Sequence, residues 1–300
     1  MTEAEHRGRP PAQDVFAEYR SLLFTVAYEI TSSAADAEDV VQDAYLRWHQ
    51  IDQDTVDNPR AYLVKISTRQ ALNKLRTTSR RRETYVGPWL PEPLLTTADI
   101  ADDVVLVEAV CTAMLVVLDT LGPTERVVFV LHEVFGLSHP EIAEAIGKTP
   151  AAVRQIAHRS RSHVQARRPR KDRSDAQERI KVLTRFQQAM ESGDLQALMD
   201  VMAPDVVLIS DGGGVRSAAL RPIVGPDKAA RFLLAVTEKL TGLRFGPAMV
   251  NGEIGTLAYV DDVIDSVGSV DIVDGRVTAL YLSRNPAKLT GLTGPHPLHR

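Results

Sequence analysis

LGPTERVVFVLHEVFGLSHPEIAEAIGKTPAAVRQIAHRSRSHV, residues 121–164, is the stretch that decides the fold, and its spacing predicts three helices. Val127, Val128, Val130, Leu131 and Val134 give the first, over about 124–135, a broad apolar face. Gly136 ends it. Ser138 then caps a short second helix, and Glu141 three residues on completes a capping box. Ile142, Ala143 and Ile146 turn inward, and Gly147 stops this helix as a left-handed cap. Thr149 caps the third, with Pro150 at its first position, where a missing N–H leaves nothing unpaired. Val153, Ile156, Ala157 and Val164 share its inward face, while Arg154, Gln155, His158, Arg159 and Arg161 lie on the others.

A small residue in the short helix, a glycine four later and a branched apolar residue six after that (Ala143, Gly147, Val153) make a helix-turn-helix spacing. Alanine lets two helices cross closely, glycine makes the turn and valine fills the gap between them. A three-helix bundle with a wet basic face is the plain alternative. The charge favours the first reading: Lys148 to Arg173 holds nine Lys or Arg and one acid, Asp172, as expected beside phosphates. The exposed positions of the third helix would reach base edges, and Arg167, Arg168, Arg170 and Lys171 would meet phosphates.

Composition narrows the class. Three hundred residues at 44% hydrophobic suffice for two or three domains with their own cores. The single cysteine, Cys111, excludes a disulfide framework and a cysteine-based zinc site. No apolar run reaches the length of a membrane span, and MTEAEHRGRPPAQ carries no signal-peptide core, so a cytoplasmic protein is expected, with residues 1–13 disordered. The net charge of −4 is unevenly spread. Residues 1–57 carry 12 acids against 4 bases, residues 58–85 carry 1 against 8, and residues 86–133 carry 8 against 1. Two basic blocks joined by an acidic connector point to two separate DNA contacts.

Upstream, Val15, Tyr19, Leu22, Leu23, Val26, Ala27 and Ile30 mark an amphipathic helix that Thr31-Ser32-Ser33 breaks. DAEDVVQDAYLRWHQ follows as a second helix, with Ala37, Val40, Val41, Ala44 and Trp48 inward and Glu38, Asp39, Gln42, Asp43 and Arg47 outward. Asn58 and Pro59 open a third, NPRAYLVKISTRQALNKLR, which turns Tyr62, Ile66 and Leu75 to a core and leaves Arg60, Lys65, Arg69, Lys74 and Arg76 outside. Arg80, Arg81 and Arg82 come next. Aromatic and basic residues together suit single-stranded or melting DNA.

These segments together resemble a sigma factor of the extracytoplasmic-function group. The resemblance rests on AEDVVQDAYLRW (37–48), NPRAYLVKISTRQALNKLR (58–76) and the stretch at 121–164. It implies that the second helix grips core RNA polymerase through Asp39, Gln42, Asp43 and Arg47. It implies that Arg69, Asn73, Lys74, Arg76, Arg80, Arg81 and Arg82 hold the minus-ten promoter element as it melts. Thr149, Arg154, Gln155, His158, Arg159 and Arg161 would then read the minus-thirty-five element.

VGPWLPEPL, residues 86–94, holds three prolines and a glycine, so it is extended, and its Trp89 and Leu90 are apolar where a plain tether would be polar. It is similar to the linker of sigma factors that carry a fused SnoaL-like domain, the SigJ-like group. Beyond a polar junction at 169–177, the expected order is helix (about 175–192), helix (195–202), strand (205–210), the loop Asp211-Gly212-Gly213-Gly214, helix (225–240) and strands near 244–250, 254–260, 263–273 and 276–283. That is the order of an NTF2-like cone. Asp211–Gly214 and Asn285-Pro286-Ala287-Lys288-Leu289 resemble motifs of this domain, although Val215-Arg216 stands where the family commonly has lysine after the glycines.

The resulting organisation is two all-α sigma domains followed by an α+β NTF2-like, SnoaL-like cone: 14–84, a linker at 85–98, 99–168 with one long first helix over 99–120, and 175–290. No cofactor and no metal are expected. Some NTF2-like cones are enzymes, with an acid base and a tyrosine in an apolar pocket, but Asp261, Asp262, Asp265, Asp271 and Asp274 fall at strand ends or among small residues, and Asp211 reads as a turn residue. The cone is therefore expected to regulate in cis by holding Trp89, Leu90 and Pro91 near Asp211 to Gly214, with a small ligand in its cavity left open. The competing reading of the whole chain is a one-component regulator whose helix-turn-helix binds an operator and whose cone binds an effector.

Overall fold

The computed structural model describes residues 12–82, 84–97, 100, 103–168 and 176–300, and the side chains at 12–14, 81 and 176 lie outside that description. The expectation of disorder over 1–11 falls outside it as well; at 12–13 the chain is already helical. Three helices form the first domain: α1 (Ala12–Thr31), α2 (Ala34–His49) and α3 (Pro59–Arg82). Tyr28, Ile30, Ala44, Trp48 and Leu63 are almost fully buried between them. Ser32, at φ 56°, breaks the first helix, and the Ser33 hydroxyl caps the second by accepting from the Asp36 N–H at 3.1 Å. α3 runs beyond Arg76 to Arg82, because the chain meets no helix breaker until Gly87 and Pro88.

The central domain corrects one expectation. Its opening helix is two, α4 (Val104–Val110) and α5 (Thr112–Leu118), which meet at an extended Cys111 with ψ 145°. The reason is tertiary: the Val110 carbonyl accepts from the Asn251 side-chain amide at 3.0 Å, and the backbone of Gly252 lies close against Val107 and Val110. α6 (Pro123–Phe129) continues into one wide π-turn, Val130–Val134, before Gly136 at φ +67°. α7 (His139–Ile146) and α8 (Pro150–Gln165) form as their caps dictate. Ser138 and Glu141 complete the capping box, Gly147 is left-handed, and Thr149 accepts from the Ala152 N–H at 3.2 Å.

The third domain comprises α9 (Ala176–Ser192), α10 (Leu195–Val201), β1 (Met202–Asp211), β2 (Ile223–Val224), α11 (Pro226–Thr237), β3 (Arg244–Val250), β4 (Glu253–Val260), β5 (Val263–Val273), β6 (Arg276–Ser283) and α12 (Pro286–Leu289). One sheet orders its strands β2-β1-β6-β5-β4-β3, with β1 and β6 parallel and every other pair antiparallel. Successive strand residues face opposite sides, so each face has its own partner. Leu208, Val277 and Leu280 pack under α9–α11 with Val182, Leu198 and Leu233. Tyr281 on the opposite face belongs to the core shared with the helical domains. Residues 295–300 then return across the whole assembly. The His296 ring stacks on Phe24 at 4.9 Å, the His296 backbone N–H donates to the Leu95 carbonyl at 2.8 Å, Leu298 is 3% exposed, and the His299 N–H donates to the Thr25 hydroxyl at 3.1 Å.

Candidate functional site

On α8 the residues expected to read duplex DNA form an exposed face: Thr149, Arg154, Gln155, His158, Arg159 and Arg161 all reach solvent, while Val153, Ile156, Ala157 and Val164 are buried. Arg161 is also paired with Glu133 at 2.5 Å. Arg167 and Arg168 follow, exposed; Arg170 and Lys171 lie outside the described residues. Asp39, Gln42, Asp43 and Arg47 are exposed on α2, opposite its buried stripe, with the apolar Leu46 57% exposed among them.

The basic residues of α3 divide into two groups. Asn73, Arg76 and Arg80 are exposed. Arg69, Lys74 and Arg82 are held by other parts of the chain. The Arg69 guanidinium donates to the Ala145 carbonyl at 2.8 Å and the Glu144 carbonyl at 3.1 Å, where the last turn of α7 presents carbonyls without helical partners. Lys74 bridges Asp39 at 2.6 Å and Asp36 at 3.4 Å, so two surfaces with separate expected roles meet there. Arg82 pairs with Asp119 at 2.9 Å and covers the Trp89 ring at 4.5 Å. The side chain of Arg81 is outside the described residues.

The linker is gripped from both sides. Toward the cone, Asp211 is 0% exposed, and its carboxylate accepts from the Leu90 N–H at 2.9 Å, the Tyr85 hydroxyl at 2.6 Å, the Gly213 N–H at 3.0 Å and the Lys288 ammonium at 2.7 Å. It is a buried anchor at the end of β1 as well as the turn residue that its glycine neighbours suggest. Lys288 also donates to the Leu90 carbonyl and sits 3.2 Å over the Trp89 ring. Burial pushes its ammonium down to about 8, against the pull of Asp211. Leu90 is 1% exposed and Pro91 is buried, whereas Trp89 is half-buried between the two cations. Gly213, at φ +63°, has no room for a side chain, since a Cβ would meet the Asn285 carboxamide at 2.5 Å; that carboxamide donates to the Tyr85 oxygen at 2.7 Å. Gly212 and Gly214 complete the turn, the latter against Val86.

Toward the first domain, the Glu92 carboxylate accepts from the Ser33 hydroxyl at 2.8 Å and from the Ala35 N–H at 3.3 Å, at the N-terminus of α2. The Glu92 N–H donates to the Ser32 carbonyl at 2.9 Å. Burial raises the Glu92 carboxyl above its ordinary range. Tyr85, Glu92, Asn251 and Lys288 were not among the residues that the sequence singled out for this contact. Lys288 lies in a recognised motif, but one sequence does not show that the motif meets the linker.

With this geometry in place, the relationship to known proteins is informative. Residues 15–81 match the Sigma-70 region 2 family and residues 112–164 the Sigma-70, region 4 family. The ECF RNA polymerase sigma factor SigJ of Mycobacterium tuberculosis is 39% identical over 289 residues, which is 92% of this chain and 92% of the relative. The chain belongs to the ECF sigma factors of the sigma-70 family. A probable ECF sigma factor of the same species, SigI, is 31% identical over 286 residues, covering 94% of this chain and 96% of its own. The crystal structure of SigJ aligns at 36% identity over 93% of this chain and 98% of its own, with a TM-score of 0.74.

This sigma factor directs promoter-specific transcription initiation by core RNA polymerase, and the operator-binding alternative is not favoured. Among the described residues, no helix is long and apolar enough to cross a membrane.

Regions 2 and 4 of the sigma factor are packed together through Arg126. Its guanidinium is 1% exposed and donates twice to the Glu29 carbonyl, at 2.9 and 2.8 Å, capping the C-terminal end of α1. It donates also to the Ser32 hydroxyl and pairs with Asp119. The Glu29 carboxyl is fully buried beside it, with no hydrogen-bond partner among the described residues, and burial pushes it up to about 8.

Proposed function

We propose that the cone regulates this sigma factor in cis by holding the linker, and through it regions 2 and 4, in a closed arrangement. The observation that carries this reading is the Asp211 carboxylate, which accepts the Leu90 N–H while paired with Lys288. A linker fixed at Leu90 to the cone and at Glu92 to α2 sets the spacing of the two promoter-reading domains. Closure also occupies Arg69 and Arg82, whose partners lie in region 4, so the cone restrains activity until polymerase or another signal opens the chain.

In the open state Asp39, Gln42, Asp43 and Arg47 contact core polymerase in the cytoplasm. The basic residues from Arg69 to Arg82 hold the minus-ten element, and Thr149 with the exposed face of α8 reads the minus-thirty-five element. The cone acts by contact and not by catalysis. The acid–tyrosine pair it forms, the Tyr281 hydroxyl on Asp271 at 3.1 Å, belongs to the sheet face toward region 4, and no acid lines the apolar cavity. A small ligand in that cavity would be a second input.

In vitro transcription with the full chain tests the linker reading. Trp89→Ala and Lys288→Met should each raise transcript yield from a cognate promoter, and the double variant should add little to either. Full additivity would mean that linker and cone act separately, and the reading would be dropped.

A further inference from the structure

GGGVRSAALRPIV, residues 212–224, runs from the end of β1 through β2 and carries two arginines and no acid. Its backbone is fixed from inside. The Gly212 carbonyl accepts from the backbone N–H groups of Val215 and Arg216, at 3.0 and 2.9 Å, and the Ser217 carbonyl accepts from the Arg284 guanidinium at 2.8 Å. Arg284 is itself buried and paired with Asp265 at 3.0 Å. Held in this way, the loop leaves its longer side chains outside: Arg216 and Arg221 are exposed, and Val215 and Leu220 are 76% and 69% exposed.

Two observations set these arginines apart. First, their charge is uncommitted. Elsewhere in the cone Arg179 pairs with Glu253, Arg231 with Asp227 and Arg244 with Asp262, whereas the Arg216 and Arg221 guanidinium groups meet no partner among the described residues. The acids nearest in sequence do not balance them, since Asp211 is buried on Lys288 and Asp227 is taken by Arg231. Second, the loop lies against the exit of α3. A Cβ at Gly214 would meet the Val86 side chain at 3.3 Å, and one at Gly87 would meet Leu220 at 3.6 Å. Val86 is four residues past Arg82, the end of α3, and the exposed Arg76 and Arg80 stand on the last two turns of that helix. Tyr85 is bonded to Asp211 and Asn285, so the loop is carried along with region 2.

Exposed aliphatic side chains set among arginines mark an interaction surface. Charge selects the partner: an unbalanced positive loop that continues a positive helix suits a polyanion. We infer that this loop is a further promoter contact, in which Arg216 and Arg221 hold the phosphate backbone of the duplex beside the minus-ten element. The chain leads from α3 to region 4, so the duplex met there is the spacer between the two elements that the domains read. Guanidinium groups pair with phosphate oxygens at two points, and such contacts add affinity and register without adding sequence preference. The inference rests on promoter binding through α3 and not on restraint by the cone.

Fluorescence anisotropy tests it, with holoenzyme assembled from core polymerase and the full chain on a labelled cognate promoter over a range of salt. Arg216→Ala combined with Arg221→Ala should weaken binding about tenfold at low salt and flatten the slope of log K against log salt by about 2, one for each lost phosphate. The loss should be equal on a promoter with an altered minus-ten sequence. Arg216→Lys combined with Arg221→Lys should restore most of the binding, because a phosphate is also reached by a point charge. Arg80→Ala in the same assay reports separately on the minus-ten contact, and its loss should add to that of the loop. An unchanged salt slope in the first double variant would overturn the inference. A loss confined to binding of core polymerase without DNA would overturn it as well and assign the surface to polymerase. The linker contact through Asp211 and Lys288 is left intact by these changes and is read by transcript yield.

Discussion

The Asn251 side-chain amide donates to the Tyr28 oxygen at 2.6 Å across 223 positions of sequence, and Tyr28 donates onward to the Glu92 carbonyl at 2.7 Å. Asn251 also donates to the Val110 carbonyl at 3.0 Å, and its own carbonyl oxygen accepts the Leu94 N–H at 3.1 Å. One buried carboxamide in a β-turn therefore touches region 2, the linker and region 4 together. Burial raises the Tyr28 phenol well above its ordinary range, so it remains a neutral donor.

Asn251→Gly should isolate the value of that carboxamide. Glycine tolerates the φ of 51° at this position, so the turn survives while its buried partners lose their bonds. At about 1–3 kcal/mol for each group left unpaired, a loss of roughly 2–4 kcal/mol is expected in urea denaturation. A change below about 0.5 kcal/mol would mean that water replaces the amide without penalty.

Glu29 gives the fold a pH dependence with a definite sign. Its folded value near 8 lies above the ordinary carboxylate range, so its contribution is full below about 4.5 and is lost as pH rises toward 8. Glu29→Gln should leave Tm little changed at pH 5 and raise stability at pH 8 by on the order of 2 kcal/mol. Equal effects at both pH values would show that the carboxyl ionises normally.

Two contacts between regions 2 and 4 should differ in weight. The Lys65–Glu144 pair is short, at 2.5 Å, but Glu144 is 70% exposed, and solvent screens such a pair so that it contributes little. Arg126 is fully buried, and removing it takes the partner from the Glu29 carbonyl and the Ser32 hydroxyl and leaves Asp119 with Arg82 alone, at about 3–5 kcal/mol. Small-angle scattering should show an enlarged radius of gyration for Arg126→Met and none for Lys65→Ala. The reverse order would place closure in the exposed pair.

Arg154 is exposed early on α8, where side chains meet base edges. Arg154→Ala should cost about 1–3 kcal/mol on a cognate promoter and much less on a scrambled one. Arg167→Ala, past the end of the helix, should weaken both alike. Footprinting on the two templates separates these outcomes, and equal losses for Arg154→Ala would remove it from base reading.

The local rules of the chain were legible because they are carried by neighbours. Caps at Ser138 and Thr149, the left-handed Gly147 and the strands β3–β6 depend on residues within a few positions of one another. The resemblance of the linker and the Asp211 loop to known motifs likewise needed only short spans. The break at Cys111 was not legible, because the atom responsible belongs to Asn251, 141 positions from the Val110 carbonyl it holds. Nothing in its Asn-Gly turn distinguishes an exposed hairpin from a buried junction.

Charge separates the two levels most clearly. Sequence alone established that residues 58–85 carry eight bases and one acid, hence a surface suited to phosphates. Only the tertiary structure decided that Arg69 lies on the carbonyls of α7, Lys74 on Asp36 and Asp39, and Arg82 on Asp119 and Trp89. The physical reason is range: propensity and capping act over one helical turn, whereas a buried ion pair such as Lys288–Asp211 exists only where folding excludes water around both groups.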